Sequence, residues 1–230
     1  MNSGLPKPHF DATRYASPIR GLLDPLPLSE LGFPHPGNAT TAHPTTRQIL
    51  SHLTVEQLAG GRAIKDPTSL KCCLAALWLL HDFPDESHRI SQEIETPEGS
   101  YWHGIMHRRE GDFGNAKYWF RRVGRHSIWA DLMTVIPRHR GDQAAAKELS
   151  LAVEMPQRSS SPARRLLNEW LEATAWDPFR FVDLCERATA GNDAELTMIL
   201  RQLAQREWCM LFDFCYEQGL SNSLRKSPSG

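Results

Sequence analysis

The chain predicts an all-α fold, a compact helical domain of antiparallel helix hairpins. Three observations lead there. A capping residue followed by proline recurs at Asp66-Pro67, Thr96-Pro97, Ser161-Pro162 and Asp177-Pro178, each the start signal of a helix. Behind these caps apolar residues return every three to four positions, as in Leu70, Leu74, Leu77 and Trp78, and again in Leu196, Ile199, Leu200 and Leu203. No stretch alternates with a period of two, and no hairpin dipeptide separates β-branched runs.

Residues 1–45 hold half of the prolines: Pro6, Pro8, Pro18, Pro25, Pro27, Pro34, Pro36 and Pro44. Proline removes a backbone donor and is excluded from helix interiors, so this arm is expected to be irregular. Phe10, Tyr15, Leu22, Leu23 and Phe33 give it apolar groups to lay against the domain. A single helical domain is expected over 46–220. Its helices are placed at 47–59, 67–82, 85–94, 97–109, 113–123, 127–136, 142–154, 162–174, 178–190 and 193–218. Asn192 with Glu195 three residues on is a capping box for the last of them. The polar end, SNSLRKSPSG over 221–230, reads as a flexible tail.

Composition narrows the function classes. With 23% charged residues and a formal net charge of −1, bulk electrostatics draws the chain to neither nucleic acid nor an anionic membrane. The longest apolar run, CCLAALWLL over 72–80, is well short of the roughly 18 residues of a membrane span. The start, MNSGLPKPHF, lacks the basic-then-apolar pattern of a signal peptide. Cys72, Cys73, Cys185, Cys209 and Cys215 sit in apolar segments without a C-x-x-C, which predicts reduced, buried thiols and a cytoplasmic protein. Gly60-Gly61 lacks the strand, spacing and Lys-Ser/Thr of a phosphate loop.

Chemistry concentrates between His81 and His126, which holds five of the ten histidines. His103 and His107 stand one helical turn apart, so both imidazoles project from one face, the spacing by which helices present two nitrogen ligands. His81 closes one predicted helix and Pro84 forces a turn, which can fold His81, Asp82, Asp85, Glu86, His88 and Glu93 toward that face. Two chemistries fit this set. In one, His103, His107, His88 and Asp85 ligate a divalent transition metal. In the other, His103, His107, His81 and Asp82 are catalytic acid–base groups. Arg108 and Arg109, with Trp102 for stacking, are candidates to bind a small anionic ligand. The expectation is a small-molecule or metal-assisted enzyme acting on such a ligand.

A second class of function fits the same residues. The His/Arg cluster can be a structural hydrogen-bond network in a non-catalytic interaction module, whose protein partner docks on the Pro-rich arm or on the aromatic C-terminal helix (Trp208, Phe212, Phe214, Tyr216). Residues 100–128 resemble a single tetratricopeptide hairpin, with Gly104, Gly111-Asp112, Ala116 and Phe120 at corresponding spacing. The pattern departs at His103 and His107, where apolar residues belong, and at Ile128, where proline belongs.

The block HDFPDESHRISQEIETPEGSYWHGIMHRREGDFGNAKYWFRRVG resembles a family of fungal and bacterial proteins to which no activity is assigned. The resemblance covers about residues 70–128, a quarter of the chain. It implies that this block is the working part, and brings no substrate or catalytic residue with it.

Overall fold

The computed structural model describes residues 14–23, 44–134, 175–191 and 194–224. Ten helices lie among them: α1 (Ser17–Leu23), α2 (Pro44–His52), α3 (Val55–Ala59), α4 (Pro67–Leu80), α5 (Pro84–Ser91), α6 (Pro97–Glu110), α7 (Phe113–Val123), α8 (Ile128–Thr134), α9 (Pro178–Gly191) and α10 (Ala194–Gly219). The fold is all-α, as the sequence predicts. The expected helices 142–154 and 162–174, the caps Ser161 and Asn192, most of the Pro-rich arm and the tail beyond 224 lie outside the described residues.

The proline-linked caps work as their chemistry requires. Asp66 accepts from the Thr68 and Ser69 amides at 2.9 and 3.2 Å and starts α4. Thr96 accepts from Gly99 N at 3.2 Å to start α6, and Asp177 accepts from Phe179 N and Arg180 N at 2.9 and 3.2 Å to start α9. Each side chain satisfies amides that the first helical turn leaves without partners.

Helix α4 is apolar around most of its circumference and lies at the centre. Leu70, Cys72, Cys73, Ala75, Ala76, Leu77 and Leu79 are all fully buried. It packs on α10, α5 and α6, with α2 and α3 on a further side. Helices α6 and α7 share the most extensive packing and form the expected hairpin, turning at Gly111. Gly104 sits where a Cβ would meet the Phe120 ring at 3.2 Å, so the small residue sets the separation of the two helices. Helix α9 covers α7 and α10, and α8 lies on α10. All five cysteines are free and buried.

Three features depart from the sequence reading. Within the Pro-rich arm, Ser17–Leu23 is helical and contributes Ile19, Leu22 and Leu23 to the core. Pro18 falls in the first turn of α1, where its missing N–H costs nothing. The helix expected over 47–59 is two helices, because Thr54 and Gln57 form a reciprocal capping box that starts α3. Lastly, β1 (Arg62–Ile64) pairs antiparallel with β2 (Leu220–Leu224), pairing Arg62 with Leu224 and Ile64 with Leu220 around an irregularity. The first residues of the expected tail are therefore pinned. The Lys65 and Asp66 amides both donate to Gly219 O, at 2.8 and 3.2 Å. Strands this short are below the length at which alternation can be read.

Candidate metal centre

The turn after α4 sets the site. His81 caps the helix, and Asp82 takes a positive φ of 64°, rare for a residue with a side chain. Arg109 holds that turn with both arms of its guanidinium, donating to Leu79 O and to the Asp82 carboxylate. The chain then enters α5 at Pro84, and α5 packs against α6.

This packing brings three imidazoles together. The ligand nitrogens of His88 on α5 and of His103 and His107 on α6 all lie within 4.8 Å of one another. His103 and His107 stack one turn apart, with ring centroids 4.8 Å apart and planes 20° from parallel. His88 meets both edge-on, at 4.5 Å from His103 and 5.5 Å from His107. On another side the Trp119 indole of α7 stacks on His103 at 3.8 Å and 14°.

The trio runs from the core to the surface. His103 is 1% exposed, and neither of its ring nitrogens has a hydrogen-bond partner. His107 and His88 are half-buried. Burial, followed by the neighbouring His107, His88 and Arg122, pulls the His103 pKa down to about 3, so this ring is a neutral base at physiological pH. His107 Nδ1 lies 3.2 Å from the Glu110 carboxylate.

The remaining residues singled out in the sequence sit elsewhere. His81 faces inward, with Nε2 3.1 Å from Leu22 O, and anchors α1 instead of joining the trio. Burial lowers its pKa, with the Leu22 carbonyl acting against that shift. Asp82 is occupied by Arg109. Asp85 is solvent-exposed in the first turn of α5 and outside the three-residue group. Arg108 is fully buried, donates to Glu207, and lies 4.5 Å from the Phe181 ring centroid. Trp102 is fully buried edge-on against Trp208 at 5.7 Å. The fifth histidine of the block, His126, is buried with Nε2 3.6 Å from Glu98, whose carboxyl it holds below the usual range. Arg108, Arg109, Asp82 and His81 thus turn to internal partners. The aromatic C-terminal helix is likewise core, with Trp208, Phe212 and Tyr216 all buried.

Trp119 and Glu110 are read from the sequence as a stacking residue and a charge partner of the hairpin arginines, and the structure sets them against the histidines instead, Trp119 on His103 and Glu110 beside His107. The first left a usable signal. His103 and Trp119 stand eight positions to either side of Gly111, so a hairpin turning there brings them level. Glu110 lies three residues after His107, the spacing of neighbours on a helix face.

The described residues form a mostly helical fold with one small strand pair, in which α5 and α6 bring three imidazoles together. Comparison of the chain with protein-family models, with curated proteins and with solved structures finds no match. No helix of the described residues is long and apolar enough to cross a membrane.

Proposed function

We propose that His88, His103 and His107 bind a divalent transition metal, zinc or an ion of similar preference, and that the protein performs metal-assisted chemistry on a small molecule at a remaining coordination position. The observation that carries this reading is His103. Both its nitrogens are buried without a hydrogen-bond partner, and two further imidazole donors stand within 4.8 Å. A buried polar group without a partner is costly, and coordination relieves that cost. The low pKa of His103 supports the same reading, because only the neutral imidazole is a ligand.

Three histidines are the ligand set of a catalytic zinc site that leaves a fourth position for water or substrate. A metal there lowers the pKa of bound water toward neutrality and polarises a substrate oxygen. Ligands about 2.1 Å from a tetrahedral ion stand about 3.4 Å apart, so the three rings need to draw in modestly on loading. The Glu110 carboxylate lies 3.2 Å from His107 Nδ1 without the geometry of a hydrogen bond, and adds negative charge beside that ligand. All three ligands fall inside the block, about residues 70–128, that we propose is shared with a family of fungal and bacterial proteins. Five buried free thiols support a reducing, cytoplasmic setting.

The alternative reading, a structural network in an interaction module, has its own support. His81, Asp82, Arg108 and Arg109 each have an internal partner, as network members should. That description does not extend to His103. The test is metal content and uptake. Purified protein loaded with Co(II) is expected to bind one ion per chain and to develop the visible bands of a four- or five-coordinate site. His88→Ala, His103→Ala and His107→Ala should each abolish those bands while leaving the helical circular dichroism in place. Absence of stoichiometric uptake by the unmutated chain rejects the metal reading and leaves the structural one.

A further inference from the structure

We infer that Arg122, braced by Trp119, is an oxyanion-recognition residue beside the three imidazoles, so that the small molecule handled there carries a carboxylate or phosphate group. This inference rests on the metal-centre reading above. Arg122 lies in the last turn of α7 and is exposed, with its guanidinium carbon 5.1 Å from the centroid of the Trp119 ring. That same ring stacks on His103 at 3.8 Å, so one indole ties the guanidinium to the imidazole cluster.

Counter-charges set Arg122 apart from its paired basic neighbours, and the Trp119 stack sets it apart from Arg121 and Arg125, which are exposed and, among the described residues, equally without an ion pair. Arg108 is paired with Glu207, Arg109 with Asp82, Lys117 with Asp183, and Arg89 with Glu86 at 3.6 Å. Among the described residues Arg122 has no carboxylate within ion-pair reach. A guanidinium stacked on an aromatic face keeps its in-plane donors available, and that fork matches the two oxygens of a carboxylate or phosphate. A guanidinium without a counter-charge is repelled by a dication near it. An oxyanion shared between metal and guanidinium removes that repulsion and fixes the ligand against both groups. Glu110 supplies negative charge on the His107 side, since its carboxylate lies 3.2 Å from that ring. The positive end of the site is therefore the Trp119–Arg122 side.

The experiment uses the full chain loaded with Co(II), titrated separately with inorganic phosphate and with acetate while the visible spectrum is followed. At least one anion should perturb the spectrum of the unmutated protein, and the stronger responder identifies the ligand class. Arg122→Gln should weaken that binding about 10-fold or more while Co(II) affinity holds or tightens, because a repulsive charge has been removed. Arg122→Lys should restore only part, since an ammonium cannot form the fork. Equal anion affinity in the unmutated and Arg122→Gln proteins overturns the inference, as does a spectrum that neither anion changes. Failure to take up Co(II) at all is a different result, and it removes the metal centre together with its subsite.

Discussion

Arg108 and Glu207 form an ion pair between α6 and α10 that no solvent reaches, since both side chains are fully buried. Tyr101 OH donates to the other Glu207 oxygen at 2.9 Å, and the Trp129 indole donates to Tyr101 OH at 3.0 Å. The pair is thus one end of a chain of donors linking three helices. Its partners explain why so many polar groups can be gathered in one block without unfolding it.

Removing one charge from that pair should be expensive, because the other is left buried and uncompensated. Glu207→Gln keeps an acceptor for Tyr101 but strands the Arg108 guanidinium. We expect a loss of about 3–5 kcal/mol in urea unfolding. An additional Arg108→Met should recover much of it. A loss of under about 1 kcal/mol in the single variant would mean that the guanidinium finds another way to be satisfied.

The neutral His103 makes the metal-free protein acid-sensitive. Its folded pKa is about 3, whereas an unperturbed imidazole titrates near 6.5. Between those values the unfolded chain binds a proton that the folded chain does not, so stability falls as pH drops through about 6.5 toward 3 and is unaffected by this ring above that window. His81, lowered by burial, adds in the same direction. The urea midpoint should therefore be lower at about pH 5.5 than at about pH 7.5, and His103→Gln should flatten the difference. An unchanged slope in that variant assigns the effect to other groups.

Gly99 opens α6 where the chain returns from α5. A Cβ there would stand 2.3 Å from the Ile94 carbonyl oxygen, backbone that cannot swing aside as a side chain tip would. Gly99→Ala should cost about 1–3 kcal/mol. It should also weaken Co(II) binding, because the displaced segment joins the helix of His88 to that of His103 and His107. Native metal affinity in a destabilised Gly99→Ala protein would show that the strain is absorbed away from the site.

Arg109 holds two acceptors at once, Leu79 O and the Asp82 carboxylate. Lysine offers one point charge and cannot reproduce the fork. Arg109→Lys is expected to lose about 1.5–3 kcal/mol. The turn at Asp82 aims α5, so His88 should shift and metal affinity should fall more than for a surface Arg→Lys control such as Arg89→Lys. Equal affinities would mean that α5 is positioned by its packing on α6 alone.

How far the sequence reaches can be seen residue by residue. Asp66, Thr96 and Asp177 announce their helices because capping is local chemistry between a side chain and amides two or three residues on. The shared face of His103 and His107 is legible for the same reason, as helical geometry relates them directly. His88 is named as a ligand with them, but the sequence puts Asp85 in the same set and gives His81 an equal place in the acid–base one, so which side chains of the turn and of α5 meet that face is not legible. The choice depends on the direction α5 takes after a left-handed Asp82 that Arg109 stabilises from 27 residues away. The internal pairing of Arg108 is hidden likewise, because Glu207 lies 99 residues on. The strand pair leaves no periodic signal, and α1 is masked by the proline that starts it.

That strand pair carries a consequence for how the molecule assembles. Arg62 and Ser221 are 159 positions apart, yet the guanidinium of one reaches the backbone of the other across the two strands. The α6–α7 hairpin closes over only a short loop and can be built early, whereas this clasp must wait until nearly the whole chain is in place. Two members of the imidazole trio, His103 and His107, lie on that hairpin and His88 on the helix just before it, so the site is joined by contacts near in sequence and not by the clasp.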